Sequence, residues 1–223
     1  MVYYNNNYRG YRNNYGGYKK KRYYKKKPTR YENYSAGIGQ LSRDVGKLKN
    51  LINVEFKALD TTVTVSPSTT FSRYVLNAAS QGDDYNARDG RQVRWKSIQI
   101  NGTLEHKGTD AIVRGLLVID TQPNQGLAAL TDILNVENTY SLRNLDERKR
   151  FVILVDRKWS ITSDNAFRAV KIFKKLDMKT VYDGTSGTFA DITSNSLIWC
   201  VGSTTATQQP LMNFQARARF IDN

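Results

Sequence analysis

The chain has 223 residues, 39% of them hydrophobic, with 34 basic and 20 acidic side chains for a net charge of +14. Its one cysteine, Cys200, excludes an intramolecular disulfide, and no run approaches the roughly 18 apolar residues of a membrane span, so secretion and membrane insertion lack support. A single histidine leaves no imidazole set for a histidine-ligated metal centre, which places a metal enzyme or a lectin last among the function classes.

Residues 1–34 hold ten of the fourteen tyrosines, six asparagines, ten basic residues and one acid, Glu32, and so carry +9 of the +14. Almost nothing in the stretch is aliphatic. It cannot bury enough apolar surface to offset chain entropy, and a disordered arm is expected. Its basic residues are Arg9, Arg12, Lys19, Lys20, Lys21, Arg22, Lys25, Lys26, Lys27 and Arg30, with Tyr23 and Tyr24 between two of the clusters. Basic side chains neutralise phosphates and tyrosines stack on unpaired bases. The pattern points to single-stranded nucleic acid bound without sequence choice and with steep salt dependence. From composition alone, a nuclear-localisation signal at Lys19 to Arg22 or a generic RNA-binding tail reads equally well.

Residues 35–52 form a linker with a helical pattern: Leu41, Val45, Leu48 and Ile52 fall near one face, Ser42 offers a cap and Gly46 weakens the helix. The apolar period then changes to two. The first strand, 53–65, alternates Val54, Phe56 and Ala58 with Glu55 and Lys57, then shifts phase near Asp60 before Val63 and Val65, as a bulge would cause. The second spans 70–78. The third, 92–104, has Val93 and Trp95 on one phase and Ile98 and Ile100 on the other, which predicts a second bulge around Lys96 and Ser97. The fourth spans 112–120. A connection with a helical piece at 127–134 leads to the fifth strand, whose run Phe151, Val152, Ile153, Leu154, Val155 is apolar on both phases and so expected to be covered on both faces. In the sixth, 169–181, Val170, Ile172, Leu176 and Met178 oppose Lys171, Lys175 and Lys179. The seventh is 196–202. In the eighth, Phe214, Ala216, Ala218 and Phe220 alternate with Gln215, Arg217 and Arg219. Eight strands with little helix between them argue for an all-β sandwich or barrel, and eight is the jelly-roll number, although another sandwich topology would give the same string.

Three blocks carry a resemblance. RDGRQVRWKSIQINGTL (88–104), VRGLLVIDTQPNQG (113–126) and RFVILVDRKWSI (150–161) resemble the third-, fourth- and fifth-strand regions of capsid proteins from circular single-stranded DNA viruses that encode a replication initiator, and are similar to satellite-virus coat proteins. The basic arm precedes them as it does in that group. The resemblance implies a single eight-stranded jelly roll over 53–223, with strands B to I in order and antiparallel sheets BIDG and CHEF. It implies a virion protein that self-assembles as sixty copies in a T=1 icosahedral shell, packages single-stranded nucleic acid, circular DNA as in that group, assembles in the host nucleus with the nuclear import machinery and a host receptor as further partners, and has no cofactor, metal or enzymatic step. On that assignment the basic strand faces all fall in BIDG: Arg91, Arg94 and Lys96 on D, Lys171, Lys175 and Lys179 on G, Arg217 and Arg219 on I. That sheet, or its rim, is expected to face the packaged nucleic acid. Sixty arms would balance about 540 phosphates and sixty whole chains about 840. The competing reading is a single-stranded nucleic-acid-binding protein with a β-sandwich domain that does not assemble.

Other motifs read as structural. Cys200 lies among Leu197, Ile198, Trp199 and Val201 as a small buried hydrophobe, not as a nucleophile for His106, which is expected at a strand end. Gly82, Asp83 and Asp84 read as a solvated turn, with calcium at a subunit contact as the sharper alternative. Residues 146–150 read as a surface loop, Asn101, Gly102 and Thr103 as a strand irregularity, and Trp95, Trp159 and Trp199 as core or subunit-interface residues. The connections 79–91, 121–149 and 182–195 are expected to be exposed or interface loops.

Overall fold

The structure, a computed structural model, describes residues 30–51 and 56–222, with side chains over 37–48 and 56–222. The chain divides after Asn53 into two units. The first contains helix α1, Arg30–Leu51, which begins inside the segment read as the arm. The second contains nine strands: β1 (Phe56–Val65), β2 (Ser72–Val75), β3 (Gln92–Glu105), β4 (Ala111–Asp120), β5 (Phe151–Ile161), β6 (Phe167–Tyr182), β7 (Ile192–Ser194), β8 (Ser196–Ser203) and β9 (Leu211–Asp222). A single turn of helix, α2 (Leu130–Ile133), lies between β4 and β5.

The strands form two antiparallel sheets, ordered β1-β9-β3-β6-β7 and β2-β8-β4-β5. With β1 to β6 as B to G, β8 as H and β9 as I, these are BIDG and CHEF, the jelly-roll order. The count is nine and not eight, because β7 pairs with Val181 and Tyr182 at the outer edge of β6, inside a connection expected to be a loop.

Burial follows the strand period where neighbours permit. Along β9, Met212, Phe214, Ala216, Ala218 and Phe220 are buried and the residues between them are not. In β3 the expected bulge is present: pairing with both β6 and β9 shifts between Trp95 and Ser97, which lets Val93, Trp95, Ile98 and Ile100 all reach the core. The bulge expected near Asp60 is absent, since β1 pairs with β9 without interruption from Phe56 to Val65. Lys57, Leu59, Val63 and Val65 share one phase that turns to the core, and Phe56 is left exposed. Lys57 can take an inward position because its Nζ lies 2.6 Å from Asp89 and 3.5 Å from Asp222. The hydrogen bond to Asp89 outweighs desolvation and raises its pKa. Nor are residues 101–103 irregular. They pair in register with both neighbours, and Gly102 stands where β-carbon atoms would come within 2.5 Å of the Asn213 carbonyl oxygen.

Between the sheets lie Trp95, Ile98, Ile100, Val113, Leu117, Trp199, Phe214 and Phe220, among others. Gly115 makes room for the indoles of Trp199 and Trp159, since a β-carbon there would approach Trp199 to 2.4 Å. A second apolar cluster covers the other face of CHEF, where Leu116, Val118, Phe151, Ile198 and Cys200 meet Phe71 and the 121–149 connection through Ala128, Leu130, Ile133 and Leu134. That connection is therefore partly a lid and not wholly a surface loop.

The two other long connections are tied together. Arg88 is fully buried and donates to the carbonyls of Ala79 (3.1 Å), Gly90 (2.6 Å) and Gly184, with its guanidinium 4.3 Å above the Tyr182 ring. Tyr182 in turn donates to the Asn77 carbonyl.

Candidate nucleic-acid interface

Among the described residues of the second unit, none forms such a lid on the outer face of BIDG. Its side chains are set by cross-strand register, which aligns Lys171 with Asn101 and Gln215, Phe173 with Gln99, Arg217 and Asp60, Lys175 with Ser97 and Arg219, and Lys179 with Arg94. Strands lie about 4.8 Å apart, with same-face neighbours about 7 Å apart along each strand. The outward residues of β3, β6 and β9 thus form one continuous grid. Seven of its members are the basic residues Arg94, Lys96, Lys171, Lys175, Lys179, Arg217 and Arg219, all brought together on this face as their strand phases require.

Two acids temper the grid. Asp177 accepts two hydrogen bonds from Arg94, both 2.6 Å, and one from Lys96 at 3.1 Å. The Arg94 bonds first, then Lys96, hold its carboxyl at about 2. Asp60 accepts from Arg217 at 2.7 and 2.5 Å, and that contact lowers its pKa in turn. Among the described residues, Lys171, Lys175, Lys179 and Arg219 have no acidic partner within ion-pair distance, and the first three are exposed. Arg219 only reaches Gln99, at 3.5 Å. Three exposed cations are therefore open to a phosphate on this face, with half-buried Arg219 a fourth that has no acidic partner.

The sequence reading missed the aromatic part of the grid. Phe173 stands between Lys171 and Lys175 on their phase and is 56% exposed, opposite Gln99 and one strand from Arg217. Phe167 and Phe56 are also exposed, on β6 and β1. The signal for Phe173 was its parity with the lysines and against Val170 and Ile172. Arg91, at the rim, pairs with Asp183 at 2.7 Å.

Of the arm candidates, Arg9, Arg12, Lys19, Lys20, Lys21, Arg22, Tyr23, Tyr24, Lys25, Lys26 and Lys27 lie outside the described residues, and of Arg30 only the backbone is described, as the first residue of α1.

The discounted sites form no alternative centre. Cys200 is buried in β8, its thiol pushed up to about 12 by desolvation, while His106 follows β3 in the other sheet with Nε2 3.2 Å from Asp110. Asp83 and Asp84 are exposed, and among the described residues no three His, Cys, Asp or Glu side chains converge on a metal position. In the 146–150 stretch Arg150 folds back and grips buried Asp120 with two 2.9 Å bonds.

No family model matches the chain, and no curated protein matches it. Among solved structures it is similar to a chain of Desmodium yellow mottle tymovirus (10% identity over 75% of this chain and 87% of that one, TM-score 0.31). It is similar to a chain of the cowpea mosaic virus top component, naturally occurring empty particles (11%, 71% and 84%, TM-score 0.33), and to one of broad bean stain virus (12%, 75% and 86%, TM-score 0.27). Overlap this low transfers nothing to the chain, whose fold is defined by its own strand order.

Proposed function

We propose that this chain is the coat protein of a small virus, which assembles into a closed shell and holds single-stranded nucleic acid through its basic arm and the outer face of BIDG. The observation that carries the reading is the pairing of a jelly roll with one bare, basic, aromatic-bearing sheet face and a +9 segment that precedes it in the same chain. The open cations supply sequence-independent attraction to phosphate, and Phe173 with the arm tyrosines supplies stacking that favours unpaired bases. The three resembling blocks support the finer reading: a T=1 shell of sixty copies around a circular single-stranded DNA, with Lys19 to Arg22 serving nuclear entry. The reading assigns the protein no chemical step.

Full-length protein examined by size-exclusion chromatography and negative-stain electron microscopy tests this, with absorbance at 260 and 280 nm recorded together. Uniform small spheres carrying nucleic acid are expected, and deletion of residues 1–29 should leave protein with an absorbance ratio close to that of protein alone. A monomer that binds single strands in a salt-dependent way, with or without added single-stranded DNA to nucleate assembly, would replace the shell reading by the non-assembling one, which the basic face also fits.

A further inference from the structure

Helix α1 shows an apolar stripe that its own polar faces do not explain. Ile38, Leu41, Val45 and Leu48 are all exposed, between 42% and 69%, although each is large and aliphatic. Their spacing is three, four, three, and Ile52 continues it by four. That is the 3.5-residue repeat of a coiled-coil seam. Labelled as heptads, Ile38 and Val45 are a positions and Leu41 and Leu48 are d positions. Asp44 falls at g and Lys49 at the following e.

We propose that α1 is a self-association element whose stripe packs on the same stripe of a second copy as a parallel two-stranded coiled coil. The residue types select that geometry, since β-branched side chains at a with leucine at d favour two parallel strands. The charges select the register. Residues g and e of successive heptads face each other across a parallel seam, which sets the acidic position 44 of each copy opposite the basic position 49 of the other, twice by symmetry. Within its own helix Asp44 lies 3.7 Å from Lys47 and accepts a 3.2 Å hydrogen bond from Gln40, and as a g residue it flanks the seam. The helix also needs the partner: Gly37, Gly39 and Gly46 weaken an isolated helix, and one of 22 residues carrying three glycines is marginal in water without burial of a face. Repulsion between two +9 arms opposes the pairing, but it is screened beyond about 8 Å at physiological ionic strength.

This inference rests on α1 and stands apart from shell formation. The test is disulfide capture in the full-length chain. Buried Cys200 does not compete, so Leu41→Cys and Gln40→Cys each introduce the one accessible thiol. Under mild oxidation Leu41→Cys should yield disulfide-linked dimer at least tenfold faster than Gln40→Cys, because core positions of paired helices lie within disulfide reach and c positions do not. In the Leu41→Cys background, Asp44→Lys should slow the crosslink and Asp44→Lys with Lys49→Asp should restore it. Equal rates at the two cysteines, as a stripe lying on its own chain would give, or no rescue by the charge exchange, would overturn the proposal whether or not particles form.

Discussion

The two sheets of this jelly roll are built from strands of the same period, yet their outer faces have opposite characters. On CHEF, β8 is buried along its whole length and β4 along most of it, because Leu116, Val118, Ile198 and Cys200 on the outward phase are covered by Phe71 and the 121–149 connection. On BIDG the outward phase carries seven basic residues and an exposed phenylalanine, and nothing in the second unit covers it. One sheet satisfies both its faces from its own chain. The other satisfies one face and leaves the second a bare grid of cations around one exposed aromatic ring.

The contrast can be broken from either side. The largest effect belongs to the covered face: Leu116→Ala should cost about 2–5 kcal/mol of unfolding free energy in denaturant titration, as a fully buried leucine among well-packed neighbours does. On the bare face, Phe173→Ala should change stability by no more than about 0.5 kcal/mol. Its binding to oligo-dT should nevertheless weaken by about 1–3 kcal/mol if one base stacks on the ring. A stability loss like that of Leu116 would show that Phe173 is structural. Removing Lys171, Lys175 and Lys179 together should lower the slope of log K against log salt by about 2, at roughly 0.7 per phosphate contact on single strands.

The smallest effect concerns Asp177. Replacing it by asparagine frees Arg94 and Lys96, and should steepen the salt slope by about 0.7 where one further phosphate is engaged. Its folded pKa lies below the ordinary carboxylate value, so its contribution to stability is complete above about pH 4 and is lost as pH falls through about 2. The group is exposed, and the contribution is correspondingly small. Acid titration of Asp177→Asn should lack that one component while retaining the Asp60 component at Arg217.

How much of this was legible in the sequence depends on whether the determining neighbours are local. β9 was readable because a half-buried strand writes its alternation directly, and the bulge in β3 was readable because Trp95 and Ile98 cannot both point inward without one. β1 was misread because its inward lysine is neutralised by Asp89 and Asp222, residues distant in sequence that no local pattern reveals. β7 is three residues long and exists by pairing with β6. β5 runs to Ile161, beyond its apolar stretch, because β4 pairs with it along the full length. The cover on CHEF was hidden for a similar reason: Leu130, Ile133 and Leu134 look like a helix stripe, and only the fold shows the sheet beneath them. The basic grid was legible in composition and phase, and its partition into paired and open cations was not, since Asp177 and Asp60 come from different strands.

The most direct test of the central claim is lysine footprinting of assembled particles and of the same particles after dissociation. If the bare face is turned to the packaged strand, Lys171, Lys175 and Lys179 should be protected from an amine-reactive probe in the particle and become reactive when shell and nucleic acid are separated. Equal reactivity in the two states would mean that this face looks outward, and would contradict the account.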